Sequence, residues 1–314
     1  MIGWMYIIGM KKVAVFMPQN LSEFIPALSV VTRKAAESSD SITLVVPDWL
    51  ESLFRKLCSI QAITYNSIRK NEFNGFDKAY LLTDTFSSTW SCFLAGVPVR
   101  RGISSQLRTP FLTDIVSGDF DKHNHILKQF SAVLEVSYSE PHKWQGVQGS
   151  VKPHPEYDGL AVLCPGPADC PAKQWRGFKE LVELSPHQDM VILGDKEDVS
   201  LAKKIAPRLP HRVRNLAGQT TLEEAAAIIA GASVVFANDS GLMQLAGFLG
   251  IPIVGIFGST TSSWNRPLGE RVAIASSHLS CVPCFRKKCS SKGYQCLESI
   301  TAEKILSLAS EVYR

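Results

Sequence analysis

The chain has 314 residues, 45% of them hydrophobic and 20% charged, which excludes wholesale disorder and fibrous repeats. Such a length suits two domains of roughly 150 residues each, large enough to fold around their own cores without disulfides or metals. The net charge of +4 is a small difference between 33 basic and 29 acidic side chains, with no basic run beyond Arg286-Lys287-Lys288 and the pairs, so no nucleic acid is expected; the surplus suits an anionic small molecule or an anionic membrane surface, and a plain soluble enzyme equally well.

The apolar opening Met1-Ile2-Gly3-Trp4-Met5-Tyr6-Ile7-Ile8-Gly9 has neither a basic n-region nor a cleavage site, and reads as an extension ahead of Met10 rather than a signal peptide. Nothing approaches the roughly 18 uninterrupted apolar residues of a membrane span. A cytoplasmic chain with reduced cysteines is therefore expected. Val13 to Met17 reads as a buried strand ending at Pro18-Gln19-Asn20, followed by a helix from about Ser22 with Pro26 in its first turn. Ile42 to Val46 and Lys78 to Leu82 are further strands, and strands alternating with helices predict a parallel sheet. The stretch 137–158, with Pro141, Gly146, Gly149, Pro153 and Pro155, reads as a linker. Leu160 to Cys164 then opens a second α/β half with strands at Met190 to Leu193, Val234 to Ala237 and Ile251 to Phe257, and a last helix from about Thr301. Two such halves put a cleft between them.

The richest stretch runs from Val234 to Trp264 as strand, polar turn, helix, strand and turn. Asn238-Asp239-Ser240-Gly241 falls at a helix N-terminus, where free amides and the helix dipole favour an anion. Gly258-Ser259-Thr260-Thr261 ends the next strand on the same sheet edge, where ligands of open α/β sheets bind. A phosphate-bearing ligand is one reading and ordinary helix capping the other. The Pro- and Gly-rich loop Pro165 to Trp175 delivers Lys173 toward that edge, either to neutralise a diphosphate or as a solvated loop lysine. Asp195, Glu197 and Asp198 follow the next strand and suit ribose hydroxyls or a helix cap equally. In the first half Leu21-Ser22-Glu23 aims Glu23 at the cleft, as a base for an acceptor hydroxyl or simply as a helix-dipole partner. Cys281, Cys284, Cys289 and Cys296 gather half of the eight cysteines, as a structural metal cluster or as reduced thiols. Asp119, Asp121, His123 and His125 read as a polar helix start in preference to a metal site. The absence of GxGxxG, GxxxxGK[ST] and GxSxG weakens the dinucleotide, P-loop and serine-hydrolase readings.

In this order, Leu21-Ser22-Glu23, the run Ser87 to Arg108, Pro165-Gly166 with Ala172-Lys173-Gln174-Trp175, Leu216-Ala217-Gly218-x-Thr220-x-Leu222, Asn238 to Met243 and Phe257-Gly258-Ser259-Thr260 resemble the ADP-heptose:lipopolysaccharide heptosyltransferases of glycosyltransferase family 9, the heptosyltransferase II branch in particular. The cysteine pattern with Pro283, Phe285 and Ile300-Thr301 fits as well, and the likeness runs from about residue 11 to the end. The resemblance implies a GT-B fold, two Rossmann-like α/β domains facing a central cleft. It divides the chain into an extension (1–10), an acceptor-side domain (11–150), a nucleotide-sugar domain (151–300) and a C-terminal helix (301–314). It also implies an inverting transfer with no metal and no cofactor, from ADP-heptose to the lipid A-anchored inner core, with peripheral contact to the inner membrane. By the same resemblance Glu23 is the base and Lys173 binds the diphosphate; Asp239, Ser240, Gly241 and Gln244 hold the donor, and Thr220 lies near the adenine. Arg100, Arg101 and Arg108 match a basic acceptor-side segment. Two positions depart from the family: Ser22-Glu23 replaces Gly-Asp, and Gln244 replaces a histidine, giving up a proton carrier for a neutral hydrogen-bonding group. Arg266 is a candidate to compensate for Gln244. These departures leave open a family member with another nucleotide sugar, or a non-catalytic nucleotide- or glycolipid-binding relative.

Overall fold

Short runs of Val, Ile, Leu and Ala, broken by Gly, Pro and Asp, fold into two six-stranded parallel sheets. The structure, a computed structural model, describes residues 10–69, 73–147, 149–205, 212–290 and 293–313, without the side chains of Arg69 and Gln106. The opening at residues 1–9, expected to be an extension, lies outside them.

The first sheet contains β1 (Lys12–Phe16), β2 (Ser41–Val46), β3 (Gln61–Thr64), β4 (Lys78–Leu81), β5 (Val99–Ile103) and β6 (Asp114–Val116) in the order β3-β2-β1-β4-β5-β6. The second contains β7 (Ala161–Cys164), β8 (Met190–Ile192), β9 (Val213–Asn215), β10 (Val234–Asn238), β11 (Ile253–Phe257) and β12 (Val272–Ser276), ordered β12-β11-β10-β7-β8-β9. Read from its other edge, that is the same topology. Every pairing is parallel, with Val13 opposite Ile42 and Val235 opposite Ile253. The central strands are buried on both faces, which is why they read as continuous apolar runs.

Helices α1 (Leu21–Glu37), α2 (Glu51–Leu57), α3 (Tyr65–Arg69), α4 (Phe86–Leu94) and α5 (Ile126–Leu134) accompany the first sheet. The second carries α6 (Phe178–Glu183), α7 (Val199–Ala202), α8 (Leu222–Ala230), α9 (Gly241–Phe248), α10 (Ser262–Asn265), α11 (Gln295–Glu298) and α12 (Ala302–Val312). Asn20 caps α1 by accepting the Glu23 N–H at 2.9 Å. Because that cap starts the helix at Leu21, Pro26 stands in its second turn and not, as expected, in its first. Thr221 and Glu224 form a reciprocal capping box on α8.

The halves meet through α1 against α9 and α2 against α8. Phe24 and Leu28 of the first half share one buried core with Met243 and Phe248 of the second. Most of the expected linker is docked chain: the Trp144 ring stacks on Phe248 and its Nε1–H donates to the Phe248 carbonyl at 3.0 Å, while the His154 N–H donates to the Ala227 carbonyl at 3.0 Å. The last helix packs on β12, β11 and α6.

Candidate active site

Both sheets reverse their strand order between two central neighbours, β1/β4 and β7/β10, and parallel sheets open a ligand crevice beyond the strand ends at such a point. In the second half the crevice is built by the loops after β7 and β10. Asn238, the last residue of β10 and fully buried, donates from Nδ2 to the Pro165 carbonyl at 2.7 Å and accepts the Trp175 N–H at 3.3 Å, so one side chain staples both ends of the β7 loop. Within that loop the Ala172 carbonyl accepts the Ser259 N–H at 3.0 Å, and the Ala172 N–H donates to the Lys287 carbonyl at 3.1 Å. A Cβ on Gly258 would lie 2.4 Å from the Ala172 carbonyl oxygen, so glycine there permits this approach.

The neighbouring Lys173 is thereby held with its Nζ 2.9 Å from Asp239 Oδ2. Asp239 is only 2% exposed; its Oδ1 accepts Asn265 Nδ2–H at 2.6 Å and its Oδ2 accepts the Thr260 hydroxyl at 2.7 Å. Asp239, with Ser240 and Gly241, was expected to hold the donor phosphates and sugar. A carboxylate with both oxygens occupied, and of the same charge as a phosphate, instead anchors the lysine. The lysine Nζ also donates to the Asp239 carbonyl at 3.4 Å, and the side chain, 24% exposed, keeps an N–H donor for the cleft. Thr260 and Asn265 escaped the sequence reading as individuals, although the Gly258 to Thr261 turn was singled out.

Ser240 caps α9, its Oγ accepting the Met243 N–H at 3.4 Å, and the first-turn amides of Gly241 and Leu242 border the cleft. Gly241 has a second role: a Cβ there would sit 2.7 Å from the Leu21 Cβ, so α1 and α9 approach as closely as they do because Gly241 has no side chain. Gly241→Ala is expected to lower stability by about 1–3 kcal/mol, measured by urea denaturation, and to loosen the cleft. An alanine variant as stable as the parent would show that the helices separate without cost.

Lys173, Asp195, Thr220 and Ser240 from the second half, with Ser22 and Trp49 from the first, line a cavity of about 410 Å³. Asp198 stands at the N-cap of α7 without a side-chain cap hydrogen bond; it accepts the Ala168 N–H at 2.8 Å and the Asp195 N–H at 3.2 Å, tying two loops together at the cavity wall. Asp195 stays on the cavity wall, its carboxyl pushed up by burial and by Asp198 beside it. Trp49, missed in the sequence, is 58% exposed and borders both this cavity and a second one of about 370 Å³ lined by Gln19, Tyr65, Ser88 and Ser91. Its signal was the Pro47-Asp48 turn at the end of a strand on the cleft edge.

At the first sheet's reversal point, Glu23 in the first turn of α1 lies near Asp84 beyond β4. Burial pushes the Glu23 carboxyl up, a hydrogen bond to the Asn20 side chain pulls it back, and Asp84 and Lys122 push it up and down respectively. The result is a carboxylate above its ordinary range, the tuning a general base needs.

Five expected site residues serve other ends. Arg100 is the second residue of β5, at the end away from the cleft, and donates to the Phe111 and Val97 carbonyls. Arg101 is paired with Asp114 at 2.7 Å and donates to the Val133 and Ala132 carbonyls. Arg108 is 1% exposed and clamps the Ile103 and Thr83 carbonyls, bracing the loop that carries Asp84. None of the three presents a free guanidinium to an acceptor, because each satisfies backbone carbonyls at strand ends and turns. Gln244 is fully buried behind the cleft, where its Nε2 donates to the Asn265 carbonyl at 2.7 Å, so it supports the residue that holds Asp239. Arg266 does not replace a histidine there, since it donates to the Pro267, Gly269 and Val272 carbonyls.

Among the described residues no group of three His, Cys, Asp or Glu side chains is placed to hold a metal, so the cysteine cluster is not gathered as a cage. The thiols are still neighbours: burial, then Cys281, Cys284 and Cys289, push the Cys296 thiol up. Their segment is tied to the turn after β11, with the Cys284 and Phe285 N–H groups donating to the Ser259 carbonyl at 3.0 and 2.7 Å. His125 belongs to no metal cluster either. Its Nδ1 accepts the Leu127 N–H and its Nε2–H donates to the Arg266 carbonyl at 2.9 Å across the two halves, and burial holds it neutral with a pKa of about 4.

Two halves of Rossmann strand order, closing on a cavity between their strand ends, define a GT-B fold. The chain belongs to glycosyltransferase family 9 (heptosyltransferase), whose model matches residues 66–295. It is 26% identical over 260 residues to lipopolysaccharide heptosyltransferase 2 of Escherichia coli K12, covering 74% of each chain. To lipooligosaccharide heptosyltransferase 2 of Haemophilus ducreyi it is 26% identical, over 94% of this chain and 97% of the other. The solved E. coli ADP-heptose lps heptosyltransferase II shares its fold, with a TM-score of 0.78 at 22% identity over 96% of this chain and 98% of that one.

Proposed function

We propose that this enzyme transfers heptose from ADP-heptose to the lipopolysaccharide inner core. Relatives named for that type of transfer align over nearly the whole chain, which favours it over another nucleotide sugar or a non-catalytic role. The observation that carries the mechanism is the Lys173–Asp239 pair at the start of α9, across the cavity from the first turn of α1. Glu23 removes the proton of the acceptor hydroxyl. The oxygen attacks C1 of the heptose from the face opposite ADP, the bond from C1 to the diphosphate oxygen breaks, and ADP leaves with the electron pair. Lys173, the Ser240 hydroxyl and the amides of Gly241 and Leu242 stabilise the charge that develops on the diphosphate, work that otherwise falls to a metal. Thr220 lies toward the adenine and Asp195 toward the ribose. The acceptor is anchored in a bilayer by lipid A, so the enzyme works from the cytoplasm, peripherally at the inner membrane; no helix among the described residues is long and apolar enough to cross it.

Calorimetric titration with ADP, UDP, GDP and CMP, without added metal, tests this reading. Selective ADP binding that tightens with ADP-heptose is the expected result. Preference for another nucleotide overturns the donor, and failure to bind any of them overturns the enzyme.

A further inference from the structure

Helix α4 has two unlike faces. Ser88 and Ser91 turn toward the second cavity, whereas Phe86, Trp90, Phe93 and Leu94 turn outward and join Phe111 and Leu107 of the short turn after β5. Trp90 and Phe93 lie 5.0 and 5.2 Å from Phe111, ring centre to ring centre, so the aromatic cluster is fixed rather than loose. It is also open: Phe93 is 44% exposed, Leu94 67% and Leu107 82%. No other stretch of the described surface gathers so many large apolar side chains, and a patch of this kind marks an interaction site. One cation borders it: the Arg100 guanidinium, tied to the Phe111 and Val97 carbonyls, lies 5.6 Å from the Phe93 ring centre, whereas Arg101 is paired with Asp114 and Arg108 is buried.

We infer that this face of α4 and the following turn is a membrane-docking surface that seats the enzyme on an anionic bilayer. The inference deepens the proposed function, since it rests on a lipid-anchored acceptor. Tryptophan and phenylalanine beside an arginine suit the boundary between headgroups and acyl chains, and that one cation favours anionic lipid. A second copy of the same face would bring arginine against arginine. The opposite face of α4 lines the first-half cavity, which meets the donor cavity at Trp49, so the docking surface and that cavity share one helix.

The test is co-sedimentation of the full chain with phosphatidylglycerol/phosphatidylethanolamine vesicles and with phosphatidylcholine vesicles, comparing wild type with the double substitution Phe93→Ser and Leu107→Ser. Both side chains are exposed, so the fold and ADP titration should be unchanged. Wild type is expected to pellet with the anionic vesicles, less with phosphatidylcholine or at high salt, and the variant to bind at least tenfold more weakly. Its kcat/KM should fall on acceptor carried in vesicles and hold on delipidated acceptor. A wild type that stays in the supernatant, or a variant that pellets equally, overturns the inference; so does a dimer seen by light scattering that the substitutions abolish while vesicle binding is absent. The two proposals fail separately: vesicle binding without ADP binding sinks the proposed function, and ADP binding without vesicle binding sinks the docking surface.

Discussion

Lys173→Ala is expected to lower kcat about 100- to 1,000-fold and to weaken ADP binding about tenfold, because it removes the cation held where leaving-group charge develops. The split between the two effects follows from the geometry. Ground-state diphosphate still meets the Ser240 hydroxyl and the α9 amides, whereas the extra negative charge of departing ADP has Lys173 as its nearby cation. The same substitution strands the Asp239 carboxylate, which is 2% exposed and keeps only Thr260 and Asn265 as partners. A stability loss of about 1–3 kcal/mol should follow, less than for a fully buried pair because the lysine side chain is 24% exposed and water screens part of the attraction. The two consequences can be separated. In the double variant Lys173→Met with Asp239→Asn no buried charge lacks a partner, so urea denaturation should show most of the stability restored while turnover stays low. Recovery of turnover together with stability would mean that Lys173 is structural and the leaving group is stabilised elsewhere.

How much of this was legible in the residues depends on what each signal reports. The buried strands Val234 to Ala237 and Ile251 to Phe257 were found within a residue or two because strands covered on both faces must be apolar throughout. The strands β3, β5, β6, β9 and β12 were not foreseen: Gln61–Thr64 and Val99–Ile103 are half-exposed, and β5 carries two arginines where a core strand would carry valines. Those same arginines show where site reading from charge goes astray. Arg100, Arg101 and Arg108 form a basic stretch in sequence, yet strand ends and turns leave carbonyls without partners, and a guanidinium with five donors satisfies them better than any other side chain. Lys173 and Asp239 were both singled out, but as separate phosphate ligands; that one braces the other depends on β7 and β10 being neighbours, a fact of topology that no local spacing encodes. Gln244 was read as a donor ligand standing where the family has histidine, and its burial against the Asn265 carbonyl makes it a support, a role glutamine fills without a charge.

Glu23→Gln is expected to reduce kcat about 100- to 10,000-fold with little change in ADP affinity, the signature of a lost general base on the acceptor side of the cleft. Its pH dependence makes the assignment specific. The Glu23 carboxyl is raised above its ordinary value, first by burial and then by Asp84, with Asn20 and Lys122 opposing. Below that raised pKa the carboxyl is protonated and cannot accept the acceptor proton, so wild-type kcat should climb as pH rises through a value above the usual carboxylate range of about 4.3. That limb should vanish from the residual activity of the glutamine variant. Stability should move the other way. A carboxyl whose pKa is higher in the folded than in the unfolded chain contributes stability that is full below the unfolded pKa and is lost as pH rises through the folded one, so at neutral pH ionised Glu23 is a burden on the fold. Glutamine keeps the shape without the charge, and the variant should melt at or above the wild-type Tm. If Glu23 were only a dipole partner for α1, the substitution would lower Tm and leave kcat and its acid limb intact. Loss of turnover with unimpaired stability is the pairing that a base produces and a helix cap does not.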